Sequence, residues 1–275
     1  SLTRALGSDF LIGSVSYTLE DVGILLNPGY YNGFLARKPT GSPFGGPTGP
    51  GGLAGYVPAN VPQAILEEQG YHLLSRVGSS IAYDTRNSVQ LPDKGQRTEL
   101  SGEVVGGPLG GDKAFYKLEL KSAWYFRGFA KGHVLEVVGR SGVAESLESG
   151  DVPFYERYYL GGLYSLRGFR YRSISPRQPG FEEPIGGDTY WFGSAEYSIP
   201  IIERLRFALF YDIGNVGASP YDFNFTDFND NYGIGLRLNL PIGPLRLDYG
   251  IPIHHDQFNS GGGRFQFGVG YTREF

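Results

Sequence analysis

The sequence predicts an all-β fold, an antiparallel transmembrane β-barrel to which this chain contributes about ten strands. Apolar residues alternate with polar or small residues along most of the chain, which is the pattern of strands with two chemically different faces. The connections between these segments mostly alternate between long and short, as in outer-membrane barrels. Aromatic residues near the strand ends fit the girdles of such barrels. They include Trp124, Tyr190, Trp191 and Phe275.

The predicted strands follow one another with almost no helical pattern between them. In chain order they begin near Phe10, Leu73, Thr98, Lys113, Val134, Thr189, Leu205, Asn231, Leu245 and Phe265. Residues 62–69 are predicted to form a short helix inside a loop. The fourth segment shows the alternation clearly, because Leu118 and Leu120 lie on one face and Lys117 and Glu119 on the other.

The segments of the C-terminal half have one apolar face and one face of small or charged residues. In the sixth, Ala195 and Tyr197 oppose Ser194, Glu196 and Ser198. The seventh to ninth segments have apolar faces formed by Leu205, Phe207, Leu209, Tyr211 and Ile213, by Tyr232, Ile234, Leu236, Leu238 and Leu240, and by Leu245, Leu247, Tyr249 and Ile251. In the last, one face carries Phe265, Phe267, Val269, Tyr271 and Phe275.

Alternation alone does not distinguish a membrane barrel from a soluble sandwich, whose charged face would meet water. The connections favour the barrel. The long ones span about residues 25–70, 142–187, 216–230 and 252–263, and the short ones about 127–132, 200–204 and 241–244. The connections at 87–95 and 106–112 fit this rule less well.

Composition excludes several other classes of protein. The chain has 275 residues and a formal net charge of -4, which is too acidic for a nucleic-acid binder. It has 43 glycines, 15% aromatic residues and no cysteine. The absence of cysteine excludes a disulfide scaffold, thiolate metal sites and cysteine catalysis. No apolar run reaches the roughly 18–20 residues of a membrane helix, and residues 1–7 lack the pattern of a signal peptide.

The connection at residues 142–187 is the strongest candidate for a functional segment, since loops this long usually have a function. Within it, Arg167 lies in a run rich in aromatic residues and glycine, residues 153–169. A charge facing a barrel interior needs partners. Glu196 and Asp212 lie on the inward-facing positions of the two strands that follow. We therefore expect Arg167 to bond Glu196, Asp212 or both.

The motif Leu166-Arg167-Gly168-Phe169, preceded by the pair Gly161-Gly162 and an aromatic cluster, resembles the inward-folded sixth extracellular loop of the outer-membrane assembly and translocation superfamily, the BamA superfamily. Further segments are similar to that family in the same order. They are residues 83–86, 193–197, 210–215 and 241–252, and the aromatic last strand. The resemblance covers about residues 70–275 and, more loosely, 4–24. It implies that acidic residues of the two following strands hold the loop arginine.

The tripeptide Arg-Gly-Phe occurs twice, and the second copy is Arg127-Gly128-Phe129. That copy lies in a predicted short turn, where its arginine is expected to be an interfacial or solvated charge. The tripeptide alone is therefore weak, and the specificity of the Arg167 motif comes from its long loop and its inward-facing carboxylates.

The resemblance also implies a particular domain organisation. Family barrels have sixteen strands and follow periplasmic POTRA domains, and the ten predicted strands match the last ten of these. We therefore expect residues 1–275 to be a transmembrane β-barrel domain without POTRA domains, a C-terminal fragment of a larger protein. A naturally smaller barrel is the alternative. A sheet with an open edge is not tolerated in lipid.

The function implied by the resemblance is that of an outer-membrane assembly factor, which folds and inserts client β-barrels through a lateral gate and catalyses no reaction. The expected partners are client barrels, accessory subunits of an assembly complex and the lipid bilayer. No nucleic acid, cofactor or metal is expected. The last strand would form one side of the gate, through Phe265, Phe267, Gly268, Gly270, Tyr271 and Phe275. Two alternatives remain open: a translocator of the same superfamily that secretes a partner polypeptide, and a passive porin.

Overall fold

The computed structural model describes residues 1–26, 35–37, 56–58, 61–89, 91–240 and 243–269. Eleven strands form one antiparallel sheet, in the order β1-β2-β5-β6-β7-β8-β9-β10-β11-β12-β13, and β3 and β4 form a separate pair. The strands are β1 Leu2–Ala5, β2 Leu11–Ile24, β3 Leu35–Arg37, β4 Tyr56–Pro58, β5 Gly70–Asp84, β6 Gly95–Val105, β7 Phe115–Arg127, β8 Val134–Ser146, β9 Thr189–Ile202, β10 Leu205–Gly217, β11 Asn229–Leu240, β12 Gly243–Pro252 and β13 Arg264–Val269.

The ten predicted strands correspond to β2 and to β5 through β13, and the antiparallel all-β prediction is confirmed. Strands β1, β3 and β4 were not predicted, because strands of three or four residues are too short to show a period. The short helix α1, Gln63–Leu66, lies within the predicted residues 62–69. Within the described residues, none of the helices combines the length and apolar character that crossing a bilayer requires.

The outer face of the sheet is apolar and exposed. Along most strands of the large sheet, exposed apolar side chains recur at every second position and point away from the core. Examples are Val15, Tyr17 and Leu19 of β2, Leu118, Leu120, Trp124 and Phe126 of β7, Tyr232, Ile234 and Leu236 of β11, and Phe265, Phe267 and Val269 of β13. Such a face is stable against lipid, and it matches the apolar band of a membrane barrel.

The hydrophobic core lies on the inner face of the sheet, and the long loop is part of it. β8 extends further along the chain than predicted, so this connection, called the long loop below, comprises residues 147–188. Its buried residues pack in one cluster with side chains of the strands. The loop contributes Val152, Tyr158, Leu160, Leu166, Phe169 and Ile174, and the strands contribute Leu74, Val105, Phe115, Val138 and Phe192, among others. The loop therefore lies inside the barrel.

The long loop folds back on itself before it reaches its tip. Isolated antiparallel bridges join Tyr158 to Gly187 and Leu160 to Ile174. The next residue, Gly161, has a φ of 102°, and a Cβ at this position would lie 2.2 Å from the carbonyl oxygen of Arg170. Only glycine fits a left-handed conformation with so close a neighbour. The turn that follows directs residues 163–169 against strands β9 to β13.

Candidate functional site in the barrel interior

Arg167 lies at the tip of the long loop and is completely buried, with 0% of its surface exposed. Its guanidinium group faces the inner sides of β9 and β10. Nε donates to Oδ2 of Asp212 at 2.8 Å and Nη2 donates to Oδ1 at 2.7 Å, while the backbone N–H of Arg167 also reaches Oδ2 at 3.3 Å. The pair is thus bidentate, the geometry that best matches a guanidinium to a carboxylate.

Arg167 bonds a second carboxylate at the same time. Nη1 donates to Oε2 of Glu196 at 2.5 Å. The hydroxyl of Ser194 accepts from Nη2 at 3.3 Å and donates to Asp212 at 2.7 Å. Asn231 donates to the other oxygen of Asp212 at 3.1 Å. The structure therefore brings together the three residues that the sequence analysis singled out, with Arg167 between both predicted carboxylates.

Three further charged residues complete the cluster, and the sequence analysis did not assign them to it. Arg237 bonds Glu196 through Nε at 3.0 Å and Nη2 at 2.7 Å, and its Nη1 lies 2.7 Å from Asp248. Arg246 bonds Asp248 at 3.0 Å. The alternation of the sequence could have indicated them, because it places Arg237, Arg246 and Asp248 on the inward-facing positions of β11 and β12.

The cluster is electrically balanced. Three carboxylates, Glu196, Asp212 and Asp248, lie between the loop arginine and the two arginines of the wall. Isolated buried charges are very costly, whereas charges with several hydrogen-bonded partners are tolerated. Strands β9 to β12 alone contribute three carboxylates and two arginines to the cluster. Without Arg167 the cluster would therefore lack one positive charge. The inserted loop supplies that charge.

Two non-ionic contacts fix the loop tip more closely. The guanidinium carbon of Arg167 lies 3.5 Å from the ring centroid of Phe210, a stacking arrangement that favours arginine over lysine. The backbone of the tip also touches β12, because a Cβ on Gly250 would lie 2.7 Å from the amide nitrogen of Gly168. Side chains larger than glycine do not fit at this crossing.

The tip also contacts the last described strand. Gln266 of β13 donates from Nε2 to the carbonyl oxygen of Phe169 at 2.8 Å. Leu163 packs over Gly268, where a Cβ would lie 2.3 Å from its Cδ2. Gln266 is a site residue that the sequence analysis missed. Of the residues predicted for the gate strand, Phe265, Phe267 and Gly268 lie in β13. Gly270, Tyr271 and Phe275 lie outside the described residues.

The second Arg-Gly-Phe copy has a different environment. Arg127 ends β7, its side chain is 69% exposed, and it lies 3.6 Å from Asp93. Phe129 is fully exposed. The same tripeptide is thus buried in the long loop and solvated in the turn, in agreement with the prediction that context separates the two copies.

The base of the long loop contains a buried acid, Asp188. Burial raises the pKa of its carboxyl from 3.8 to about 6, although the nearby Arg157 opposes this shift. The distance from Arg157 Nε to Asp188 Oδ1 is 3.7 Å. The backbone of Asp188 joins two strands, since its carbonyl accepts from Ala144 and its N–H donates to Gly217.

We expect the docked loop to lose stability as the pH rises from about 4 to about 6, because the docked form binds a proton that the released form has already lost. Above about pH 6 both forms have lost the proton, so the stability of the docked loop should fall no further. Hydrogen–deuterium exchange at Tyr158 and Leu160, corrected for intrinsic rates, should speed up across this range. Asp188→Asn should abolish the dependence, and Glu182→Gln, at an exposed position of the same loop, should retain it. An unchanged dependence in Asp188→Asn would contradict the assignment.

Comparison with known proteins agrees with this geometry. Residues 12–272 match the Omp85 superfamily domain. The chain is 36% identical over 212 residues to the outer membrane protein assembly factor BamA of Nitratidesulfovibrio vulgaris, covering 75% of this chain and 26% of that protein. It is 28% identical over 229 residues to the sorting and assembly machinery component 50 homolog of Bos taurus, covering 75% of this chain and 47% of that protein.

A solved structure has the same fold. The crystal structure of BamA from Haemophilus ducreyi lacking POTRA domains 1–3 matches with a TM-score of 0.62 and 26% identity, over 72% of this chain and 42% of that chain. The chain thus spans about a quarter to a half of the length of these relatives.

The fold and the site define an integral outer-membrane β-barrel whose interior holds a long loop through buried ion pairs. The apolar outer face, the antiparallel strand order and the structural match all agree with this class. The chain belongs to the Omp85 superfamily.

Proposed function

We propose that this chain is the barrel part of an outer-membrane protein assembly factor, which helps client β-barrels to fold and insert and catalyses no reaction. The observation that carries the proposal is the docked loop, in which Arg167 bonds Glu196 and Asp212 at once. The relatives named as an outer membrane protein assembly factor and as a sorting and assembly machinery component support the same class. Accessory subunits and client barrels are the partners that we propose.

The lateral gate is the finer part of this proposal. A strand at the edge of a sheet presents unpaired backbone groups, which can pair with an incoming strand. β13 has its partner β12 on one side and ends the described sheet on the other. Gly268 weakens the packing of this strand. We propose that β13 is one side of the gate and that residues 265–275 pair with the client.

The docked loop favours this function over that of a passive porin. Its buried residues join the hydrophobic core of the sheet, so packed side chains cover the inner face in the part of the chain that the structure describes. A client that enters the membrane through the side of the barrel does not need an open lumen. A porin does need one.

The test is assembly of a client barrel by the protein reconstituted in lipid vesicles. We expect the wild-type protein to speed client folding, and Arg167→Ala to insert into the membrane normally but to lose most of this activity, because the loop tip is released. Arg127→Ala, which removes the exposed arginine of the second copy, is the matched control and should be fully active. Client assembly at wild-type rate in Arg167→Ala would count against the role of the loop. A large and steady conductance of the wild-type protein would instead favour a porin.

A further inference from the structure

The long loop has a second charged contact with the strands of the sheet, near the beginning of the loop. Glu156 is largely buried, with 12% of its side chain exposed, and its two oxygens bond different strands. Oε1 accepts from Nη2 of Arg76 in β5 at 2.9 Å, and Oε2 accepts from Nζ of Lys117 in β7 at 3.4 Å. The beginning of the loop is thus tied to the wall by an acid of its own.

Arg76 does not need Glu156 for charge balance. It also bonds Glu20 of β2 at 3.0 Å and Glu103 of β6 at 3.2 Å. Three carboxylates therefore surround Arg76 and Lys117, which leaves one negative charge in excess. A largely buried acid in excess of its positive partners is costly. Glu156 is therefore not needed to neutralise Arg76 and Lys117. Its contacts are better explained by a role in holding the loop in position.

The two contacts have opposite polarity. At the tip the loop supplies the cation and the wall supplies the acids, whereas at the beginning the loop supplies the acid and the wall supplies the cations. The walls also differ, since Arg76 and Lys117 lie in β5 and β7 and the tip lies against β9 to β13. A loop that is inserted the wrong way round would place like charges together at both ends.

Packing continues along the loop between the two contacts. The ring of Tyr158, two residues after Glu156, lies 4.6 Å from the ring of Tyr190 and 5.1 Å from Nζ of Lys117. The bridge from Leu160 to Ile174 continues toward the tip. The segment that joins the two contacts is therefore itself packed and hydrogen-bonded.

We propose that Glu156 is a second positioning residue, which ties the long loop to β5 and β7 and so couples this wall to the last strand through the docked tip. The proposal rests on the proposed function only for its consequence in assembly. In structural terms, the loop bridges the interior between two oppositely charged anchors, Glu156 and Arg167. Movement of β13 then strains the contact at Glu156, and loss of that contact frees β13 to move.

The test measures channel openings of the protein in planar bilayers, without any client. We expect Glu156→Lys to raise the frequency of openings about tenfold, because the introduced ammonium group would repel Arg76 and Lys117 where the acid attracted them. Glu156→Gln should have a smaller effect in the same direction. Glu148→Lys changes the charge equally at an exposed position of the same loop, and it should leave the openings unchanged.

A charge exchange distinguishes positioning from a general loss of structure. The double variant Glu156→Lys with Lys117→Glu restores one of the two ion pairs with its polarity reversed, so it should bring the openings part of the way back toward the wild-type frequency. An effect of Glu156→Lys no larger than that of Glu148→Lys would overturn the proposal, and so would a double variant worse than either single one. Assembly is measured separately: a wild-type protein that assembles no client would refute the proposed function and leave the anchor intact.

Discussion

Arg167→Lys is expected to release the tip of the long loop although it retains the positive charge. The guanidinium group bonds both oxygens of Asp212 and one oxygen of Glu196, and it stacks on Phe210. An ammonium group is a point charge without this fork, so it cannot replace the arrangement. Complete removal of one partner from a buried ion pair costs about 3–5 kcal/mol, and this is the upper limit for a variant that retains the charge. Hydrogen–deuterium exchange in residues 160–170 should rise strongly.

A double-mutant cycle with Asp212 identifies the cause. Arg167→Met and Asp212→Asn should each destabilise the docked loop, and the double variant should cost clearly less than their sum, because neither member of the pair is left alone. Arg127→Lys is the matched control at the exposed copy of the tripeptide and should change nothing. Strictly additive effects would mean that the pair does not hold the loop.

Gly250→Val is expected to expel the loop tip while every charge stays in place. A Cβ at this position would lie 2.7 Å from the amide nitrogen of Gly168 and 2.9 Å from the carbonyl carbon of Arg167. Both neighbours are backbone atoms that cannot rotate away, so one of the two segments must move. We expect loss of client assembly comparable to that in Arg167→Ala, with the same increase in exchange at the tip.

Gly139→Val provides the control for this steric prediction. Gly139 lies in β8, points away from the core, and a Cβ added there meets no atom within 4 Å. The two variants therefore introduce the same side chain into strands of one sheet, and only one of them meets the loop. Equal defects in both would indicate a general effect on the strands. Hydrogen–deuterium exchange at the wild-type rate in the loop tip of Gly250→Val would contradict the packing described above.

The alternation of the sequence predicted most of the sheet, because a period of two follows directly from strand geometry and needs no long-range information. It also placed Glu196 and Asp212 on the inner face, and the length of the loop indicated Arg167. The same alternation placed Arg237, Arg246 and Asp248 on the inner face, but it gave no reason to connect them with the loop. Their part in the cluster depends on the register between strands, which alternation does not determine.

The contacts of Glu156 and Gln266 could not be predicted from the sequence. Glu156 lies in the run that drew attention to Arg167, yet in the sequence it is one acid among the aromatic residues and glycines of that run. Its partners, Arg76 and Lys117, are 80 and 39 residues away. Gln266 appears in the sequence as a polar residue of a strand whose aromatic face was the stronger signal. Contacts between a loop and distant strands depend on where the loop tip comes to lie.

By itself, the sequence determined the class of this protein: an antiparallel membrane barrel of the Omp85 superfamily, with one arginine-bearing loop directed inward toward two carboxylates. The periods and motifs that carry this information are local, so they can be read along the chain. Only the tertiary structure decided that Arg167 completes a balanced cluster of six charges, that Gly250 leaves room for the tip, and that Glu156 ties the loop to the other wall. These features arise where segments far apart in sequence meet in space, and burial then gives each charge and each missing side chain its large effect.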